Sequence, residues 1–239
     1  MTATTTAIEA SRHTSDLKGD ERLTNVAVNL RIRVIFVDSD IVVVDKPPGL
    51  RSVPGNASRS LFIVHRLDCE TSGVLLFART SEAASRLSRA WREREHVQKT
   101  YVAKVYSWRL PETSGRIDLA LAPHPTERIK WIASKEGKPS TTLWTVMPDE
   151  RKATCQNPDS DGCARPVKLR LIPVTGRTHQ LRIHCCAHGD GILGDTLYGK
   201  FATQSLPGKR SRLFLHSQAL SVPHPTTGKM VTFISTPAW

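Results

Sequence analysis

The alternation of apolar and polar residues along the chain predicts a protein built mainly from β-strands. Residues 32–37 and 41–44 are both apolar runs of strand length, and the Asp-Ser-Asp turn between them is typical of a β-hairpin. A third apolar run, at residues 74–77, follows a Thr-Ser-Gly turn. Further strands are predicted at residues 100–106, 141–147, 167–171, 214–222 and 230–234.

Two segments have the spacing of helices instead. An apolar stripe begins after Thr80 or Ser81, either of which can cap a helix, and arginines occupy the other side. A second helix is predicted over residues 179–188, with Thr178 as its cap. Many strands with two or three helices favour one α+β domain around a mixed, mainly antiparallel sheet.

The domain organisation is expected to be simple. The first 25 residues are rich in Thr, Ala and Ser without an apolar period, so we expect a disordered tail at residues 1–28. One domain at residues 29–239 follows, with a polar, Pro- and Asp-rich surface insertion at residues 148–166. The longest apolar runs have only the length of strands, so no membrane span is predicted.

The charge favours a polyanionic partner. The chain has 34 Lys and Arg against 22 Asp and Glu, which gives a formal net charge of +12. The acidic first 25 residues contribute nothing to this excess. Nucleic acid is the first candidate partner, although a generic basic protein would have the same charge.

The cysteines indicate a reducing compartment and no metal. Five scattered cysteines without a signal peptide favour free thiols inside a cell, cytoplasmic by default and with an organelle as the alternative. No pair has zinc-ligand spacing, so no metal site is predicted. The cysteines and histidines weighed for such a site are Cys155, Cys163, Cys185, Cys186, His184 and His188.

Residues 65–74, HRLDCETSGV, contain the main candidate for catalysis. Asp68 lies between the guanidinium of Arg66 and a tight turn that leads into an apolar strand. A carboxylate on such a loop is a plausible nucleophile aimed at a polyanion. The alternative is a solvated Asp in an ordinary surface turn.

These residues resemble the signature of the RluA-type pseudouridine synthases. Further blocks in the same order extend the resemblance from about residue 34 to the C-terminus. They are VDKPPGL at 44–50, KTYVA at 99–103, TGRTHQLRIH at 175–184, LGDTLYG at 193–199 and LHS at 215–217.

The resemblance implies an enzyme that isomerises uridine to pseudouridine in structured RNA, in rRNA or tRNA stem-loops or in both. The reaction is redox-neutral, so no cofactor is expected, and the chain has no nucleotide-binding glycine motif. The family fold implies a sheet with flanking helices and a central cleft. We expect a monomer without an obligate protein partner.

The resemblance also implies roles for three residues. Asp68 would be the catalytic carboxylate, acting at C1′, at C6 or through a glycal intermediate. Arg182 would be the cation that keeps this carboxylate ionised in a water-excluding pocket, and Tyr101 would stack on the target base. From the residues alone, Arg182 could equally contact phosphate or solvent, and Tyr101 could be a core tyrosine.

Other residues are expected to support the substrate. Arg66 resembles the residue that braces the extruded nucleotide, although a simple phosphate contact is the alternative. Lys46 and its prolines are expected to fix a strand exit near the site. Five further residues are predicted to bind the substrate or support the site, namely His65, Thr71, Arg177, His179 and Gln180.

A departure from the family pattern keeps another function open. Only residues 56–64 separate the Val-Pro-Gly turn from the signature, where relatives usually have a longer stretch. The leading 25 to 30 residues are too few for the S4-like RNA-binding domain of many relatives, so we expect the catalytic domain itself to select the RNA. Residues 51–55 and 92–101 resemble the compact members that modify 23S rRNA and tRNA anticodon arms. Alternatives are a catalytically silent RNA-binding protein and an RNA N-glycosidase.

Overall fold

The computed structural model describes residues 32–52, 61–93, 96–148, 166–199 and 212–239, together with the backbone of a short strand at Thr6–Glu9. The chain divides into two compact units. The first unit comprises Met1–Thr100 and His216–Trp239, and the second comprises Tyr101–Leu215.

The described part of the first unit contains the predicted hairpin, formed by β2 (Arg33–Val37) and β3 (Ile41–Lys46). Asp38 makes the turn, because its Oδ1 accepts the N–H groups of the second and third residues after it, both at 2.8 Å. Such bonds to the following main chain are the reason that Asp favours turns. The hairpin prediction is confirmed, and β3 extends to Lys46.

Strand β5 (Ser72–Ala78) is central in this unit and is mostly buried. β3 pairs antiparallel with it, β4 (Phe62–Ile63) pairs with its last residues, and β11 (Leu215–Pro223) pairs parallel with its first residues. β12 (Met230–Ile234) adds to β11, and β1 (Thr6–Glu9) adds parallel to β12. Burial on both faces explains the continuous apolar run of β5.

Helix α1 (Ser81–Glu93) covers the apolar face of these strands. Thr80 caps it, as predicted, because its Oγ1 accepts the N–H of Ala83 at 3.1 Å. The helix contributes Ala83 and Leu87 to the core. The strands contribute Ile41, Val43, Val74, Leu76, Ala78, Leu220, Val222 and Phe233.

The described part of the second unit contains five strands in the order β6-β10-β9-β7-β8, with every neighbouring pair antiparallel. Leu169 and Leu171 are buried while Arg170 between them is exposed, which is the period of two that predicted this strand. The strands are β6 (Gln98–Val105), β7 (Ser114–Pro123), β8 (Trp131–Ala133), β9 (Lys138–Val146) and β10 (Val167–Pro173).

Helix α2 (Gln180–Ala187) is buried from Gln180 to Cys185. The predicted cap by Thr178 is wrong. The N-cap is His179, which has φ 56° in the left-handed region and makes no side-chain capping bond. Instead, Gln180 turns its side chain back, and its Oε1 accepts the N–H of Arg177 at 3.0 Å. This bond fixes the turn that precedes the helix.

The strands β4, β7 and β8 were not predicted. β4 and β8 have only two and three residues, which is too short for a period to be recognised. In β7, Ile117 is buried between two exposed residues, but Leu121 lies between half-buried alanines, and the glycine and charged residues at the start of the strand obscure the pattern. Pairing with the long strand β9 stabilises β7 irrespective of its composition.

Several predictions fall partly outside the described residues. Four residues of the predicted tail at 1–28 form β1, because pairing with β12 requires backbone hydrogen bonds and no apolar pattern. The rest of that tail, residues 149–165 of the predicted insertion and residues 53–60 lie outside the described residues. The domain boundaries stay predictions. Among the described residues, no helix combines the length and apolar character needed to cross a bilayer.

Candidate active site

The loop that carries Asp68 lies between β4 and β5, and Asp68 itself is partly buried. Before it, Ser52 brackets Leu67, since the Ser52 hydroxyl donates to the Leu67 carbonyl at 2.7 Å and accepts the Leu67 N–H at 3.0 Å. After it, the N–H of Thr71 donates to the Asp68 carbonyl at 3.1 Å. The main chain around Asp68 is therefore fixed from both sides.

Lys46 also fixes this loop, through hydrogen bonds to backbone carbonyls. Its side chain is almost completely buried, and its Nζ donates to the carbonyls of Pro47, Leu50 and Cys69 at 2.9, 2.7 and 2.8 Å. Burial lowers the pKa of Lys46 to about 8, while the negative groups of the loop, including Asp68, oppose this shift. The expected structural role of Lys46 is thus visible as a three-carbonyl clamp beside the candidate catalytic residue.

His65, predicted to bind the substrate, supports β5 in the structure. Its Nε2 accepts the N–H of Leu76 at 3.0 Å, and its ring stacks on Trp91 at 4.9 Å. Burial is the main cause that lowers the pKa of His65 to about 3, with a further contribution from Lys99. The ring is therefore a neutral acceptor at neutral pH, and we expect it to shape the loop.

The end of the signature is fixed where β5 meets β11. The Ser72 hydroxyl is 2.9 Å from Nδ1 of buried His216, whose Nε2 donates to the Ser235 carbonyl at 3.0 Å. Since that carbonyl can only accept, neutral His216 carries its proton on Nε2 and accepts the Ser72 hydroxyl. This network was not predicted, although the LHS block contained the histidine.

Two other predicted residues of the first unit differ in exposure. Arg66 is exposed, as a residue that contacts RNA must be. Thr71 is buried, with 2% of its surface exposed, and its N–H closes the turn at Asp68. We therefore expect Thr71 to act through the loop geometry and Arg66 to be the substrate-facing residue of this pair.

Tyr101, in the second unit, lies on β6 opposite Leu171 of β10 and is 8% exposed. It shares the face of the sheet that also carries buried Leu169 and Leu171. The strand prediction is confirmed here, whereas the stacking role of Tyr101 stays a prediction.

Arg182 lies on α2 and is paired with Asp195. Its Nε donates to Oδ2 at 2.8 Å and its Nη2 to Oδ1 at 2.6 Å, with both side chains almost completely buried. The predicted attraction between Arg182 and Asp68 stays a prediction. Asp195 was missed at the sequence level, although the LGDTLYG block contains it.

Gln180 and Arg177 hold the turn before α2. The Gln180 amide donates to the Thr141 carbonyl and the Thr142 hydroxyl, both at 2.9 Å, while its oxygen accepts from Thr175 and Arg177. All four hydrogen-bonding positions of the amide are used within the protein. We therefore expect Gln180 to position the turn and not to contact RNA. Arg177 is partly exposed, and its Nε donates to a backbone carbonyl of β9 at 3.3 Å.

Within the described ranges, one group of side chains has the spacing of metal ligands, namely Asp38, Asp40 and His224. These side chains bond to their surroundings, with His224 Nε2 at 2.8 Å from Asp38 and the Thr226 hydroxyl donating to Asp40 at 2.7 Å. Burial raises the pKa of the Cys185 thiol and so disfavours a thiolate ligand there. Cys155 and Cys163, which were also weighed as ligands, lie outside the described residues.

Comparison with known proteins connects this geometry to a family. Residues 40–187 match the model of the family described as RNA pseudouridylate synthase. The protein named "Dual-specificity RNA pseudouridine synthase RluA" from Yersinia pestis is 38% identical over 215 residues, which cover 84% of this chain and 96% of that protein. Its namesake from Escherichia coli strain K12 is 37% identical, with 84% and 90% covered.

Solved structures of pseudouridylate synthase domains are similar to this chain as well. "Human RNA Pseudouridylate Synthase Domain Containing 1" is similar with a TM-score of 0.66 and 28% identity, covering 86% of this chain and 83% of that one. "Human RNA Pseudouridylate Synthase Domain Containing 4" has a TM-score of 0.67, 23% identity and coverage of 90% and 92%, a likeness of fold. The expected α+β fold is confirmed, and the chain belongs to the RNA pseudouridylate synthase family as an RluA-type enzyme.

Proposed function

We propose that this protein isomerises uridine to pseudouridine in structured RNA, with the carboxylate of Asp68 acting at the glycosidic centre. The C1′–N1 bond breaks, the uracil turns and a C1′–C5 bond forms, while C5 loses a proton to solvent and N1 gains one. A carboxylate beside an anomeric carbon is also the catalytic group of glycoside hydrolases. The observation that carries the proposal is the family match over residues 40–187, which contains the Asp68 loop clamped by Lys46 and Ser52.

The other roles follow from the chemistry of each side chain. Arg182 supplies the cation that favours an ionised carboxylate in a site from which water is excluded. Tyr101 offers a ring for stacking on the uracil, an interaction worth about 1–3 kcal/mol per base. Arg66, which is exposed, braces the extruded nucleotide through its phosphate or in the space that the base vacates.

The substrate is proposed to include more than one RNA. The relatives with 37–38% identity are named dual-specificity enzymes, and we extend that property to this chain, with rRNA and tRNA stem-loops as the candidates. The net charge of +12 favours binding to such polyanions. We propose that the protein acts as a monomer inside the cell, where these RNAs occur. Light scattering during gel filtration measures its mass in solution.

Release of tritium from RNA labelled at C5 of uridine tests the function. Wild-type protein is expected to release tritium from rRNA or tRNA transcripts, because C5 loses its proton when the new bond forms. Asp68→Asn, which keeps the shape and removes the charge, is expected to lower the rate by at least about 10³-fold. Asp118→Asn, at an exposed carboxylate on β7, is the matched control and is expected to keep the wild-type rate.

Other outcomes would contradict the proposal. Equal tritium release by wild type and Asp68→Asn would remove Asp68 from the chemistry. Salt-sensitive RNA binding without any release would indicate a silent RNA-binding protein. Free uracil in the products would indicate an N-glycosidase.

A further inference from the structure

We propose that Asp195 is a positioning residue of the active site, which holds the guanidinium of Arg182 in the single orientation that the reaction requires. The inference rests on the proposed function, because that function assigns Arg182 its place beside the reacting carboxylate. Asp195 lies thirteen residues after Arg182, in the segment that follows α2.

The pair has the geometry of an orienting contact. The two oxygens of Asp195 face Nε and Nη2 of Arg182, so the carboxylate binds one edge of the planar guanidinium at 2.8 and 2.6 Å. This two-point contact fixes the plane as well as the distance. Of the five N–H donors of the guanidinium, Asp195 takes two and leaves the opposite edge to face other acceptors.

Asp195 is itself held rigidly. Its Oδ1 accepts the backbone N–H groups of Leu197 at 2.9 Å and Tyr198 at 3.1 Å. The Tyr198 ring lies against the guanidinium, with its centroid 5.2 Å from Cζ of Arg182. The guanidinium is therefore held at one edge by a carboxylate and lies over an aromatic ring.

Stability alone does not account for this pair. The side chains of Arg182 and Asp195 are 5% and 0% exposed, so both charges carry a large desolvation cost. Apolar residues of similar volume often replace a buried ion pair without loss of stability. A requirement for a guanidinium in one defined position explains why the charges are placed here.

Single-turnover isomerisation and RNA affinity, measured separately on the full chain, test the proposal. Asp195→Asn is expected to slow isomerisation about 10²-fold, the scale expected when a group is displaced by about 1 Å, while RNA affinity changes less than about twofold. Asp190→Asn is the matched control. Asp190 lies five residues before Asp195 and makes a more exposed ion pair, with Arg109. This variant is expected to keep the wild-type rate.

A double-mutant cycle separates positioning from general support of the fold. If Asp195 acts through Arg182, Asp195→Asn should slow an Arg182→Lys enzyme by no more than about threefold. Independent, multiplying losses would overturn the proposal, because a structural role does not depend on the side chain at position 182. Rates are compared at a temperature where circular dichroism shows each variant folded.

Asp195→Glu decides the question if Asp195→Asn does not fold. This variant keeps the charge balance but displaces the carboxylate by one methylene, and it is expected to slow the reaction about tenfold with RNA affinity retained. A wild-type rate for Asp195→Glu would overturn the proposal. Wild-type protein without any isomerase activity would instead remove the proposed function, so the two failures are distinguishable.

Discussion

Single buried polar side chains hold two segments that carry predicted site residues: Lys46 holds the loop of Asp68, and Gln180 holds the turn before α2. Lys46 uses all three N–H donors on backbone carbonyls, and Gln180 uses all four positions of its amide. Such polar groups are costly to bury without hydrogen-bond partners. When all their hydrogen bonds are made, they hold the surrounding main chain rigidly. At the scale of the residue, the site is shaped by groups that do not take part in the chemistry.

Replacement of Lys46 by Met tests this clamp. Lys46→Met keeps the length of the side chain but leaves three carbonyls without their donor, and each buried unsatisfied group costs about 1–3 kcal/mol. We expect the free energy of unfolding, measured with urea, to fall by about 3 kcal/mol or more. Lys229→Met, at an exposed lysine, is the control and is expected to change it by less than about 0.5 kcal/mol. Equal small effects would show that the clamp is dispensable.

At the scale of the element, the close approach of two strands, β5 and β11, requires the glycine in the signature at residues 65–74. Gly73 at the start of β5 pairs in parallel register with Ser217 of β11 and has φ +111°. A Cβ at this position would lie 2.2 Å from the Ser217 carbonyl oxygen. The glycine of the signature is therefore required by the contact between β5 and β11, in addition to the turn that it ends.

The variant Gly73→Ala is expected to be strongly destabilised. The positive φ costs about 1–3 kcal/mol in an L-residue, and the overlap with the Ser217 backbone adds a comparable cost. Thermal unfolding should show a fall in Tm of about 10 °C or more. Gly228→Ala is a matched control, since its φ is +68° but no atom lies within 4 Å of the added Cβ. If both variants lost the same stability, the close approach of the strands would not be the cause.

Charge organises the chain as a whole. The net charge of +12 favours RNA as a partner. Two histidines, His65 and His184, add no charge to the folded chain near neutral pH. Burial lowers the pKa of His65 to about 3 and that of His184 to about 4, and His188 adds to the effect on His184. Both rings lie inside their units as neutral groups, His65 accepting a backbone N–H and His184 bonded to Ser140 at 2.9 Å.

These histidines predict a loss of stability in acid. In the unfolded chain each histidine binds a proton near pH 6.5, whereas the folded chain takes it up only near pH 3 or 4. Stability is therefore fully present above about pH 6.5 and falls as the pH drops below it, by up to about 1.4 kcal/mol per pH unit for each histidine. Urea unfolding at pH 7.5 and 5 measures this slope. His184→Gln should reduce it, and His124→Gln, at a partly exposed histidine, should not.

Local pattern was sufficient for most of the first unit. The hairpin, α1 with its Thr80 cap and β12 were predicted closely, because each depends on its own period and turn chemistry. Elements whose position depends on contacts with neighbouring elements were not predicted. β7 is stabilised by β9, and the start of α2 is set by the bonds of Gln180 to β9, which no local spacing reveals.

The amino-acid sequence was enough to identify the family, because its motif blocks combine uncommon residue types in one order. It also marked Asp68, Tyr101 and Arg182 as the candidates for chemistry. Which groups hold them emerged from the folded chain alone. Lys46 joins the carbonyls of Pro47 and Leu50 to that of Cys69, 23 residues along the chain, and Asp195 binds Arg182 on the helix before it. Hydrogen bonds of defined direction between residues of different elements leave no periodic pattern along a chain, and for this reason only the tertiary structure shows them.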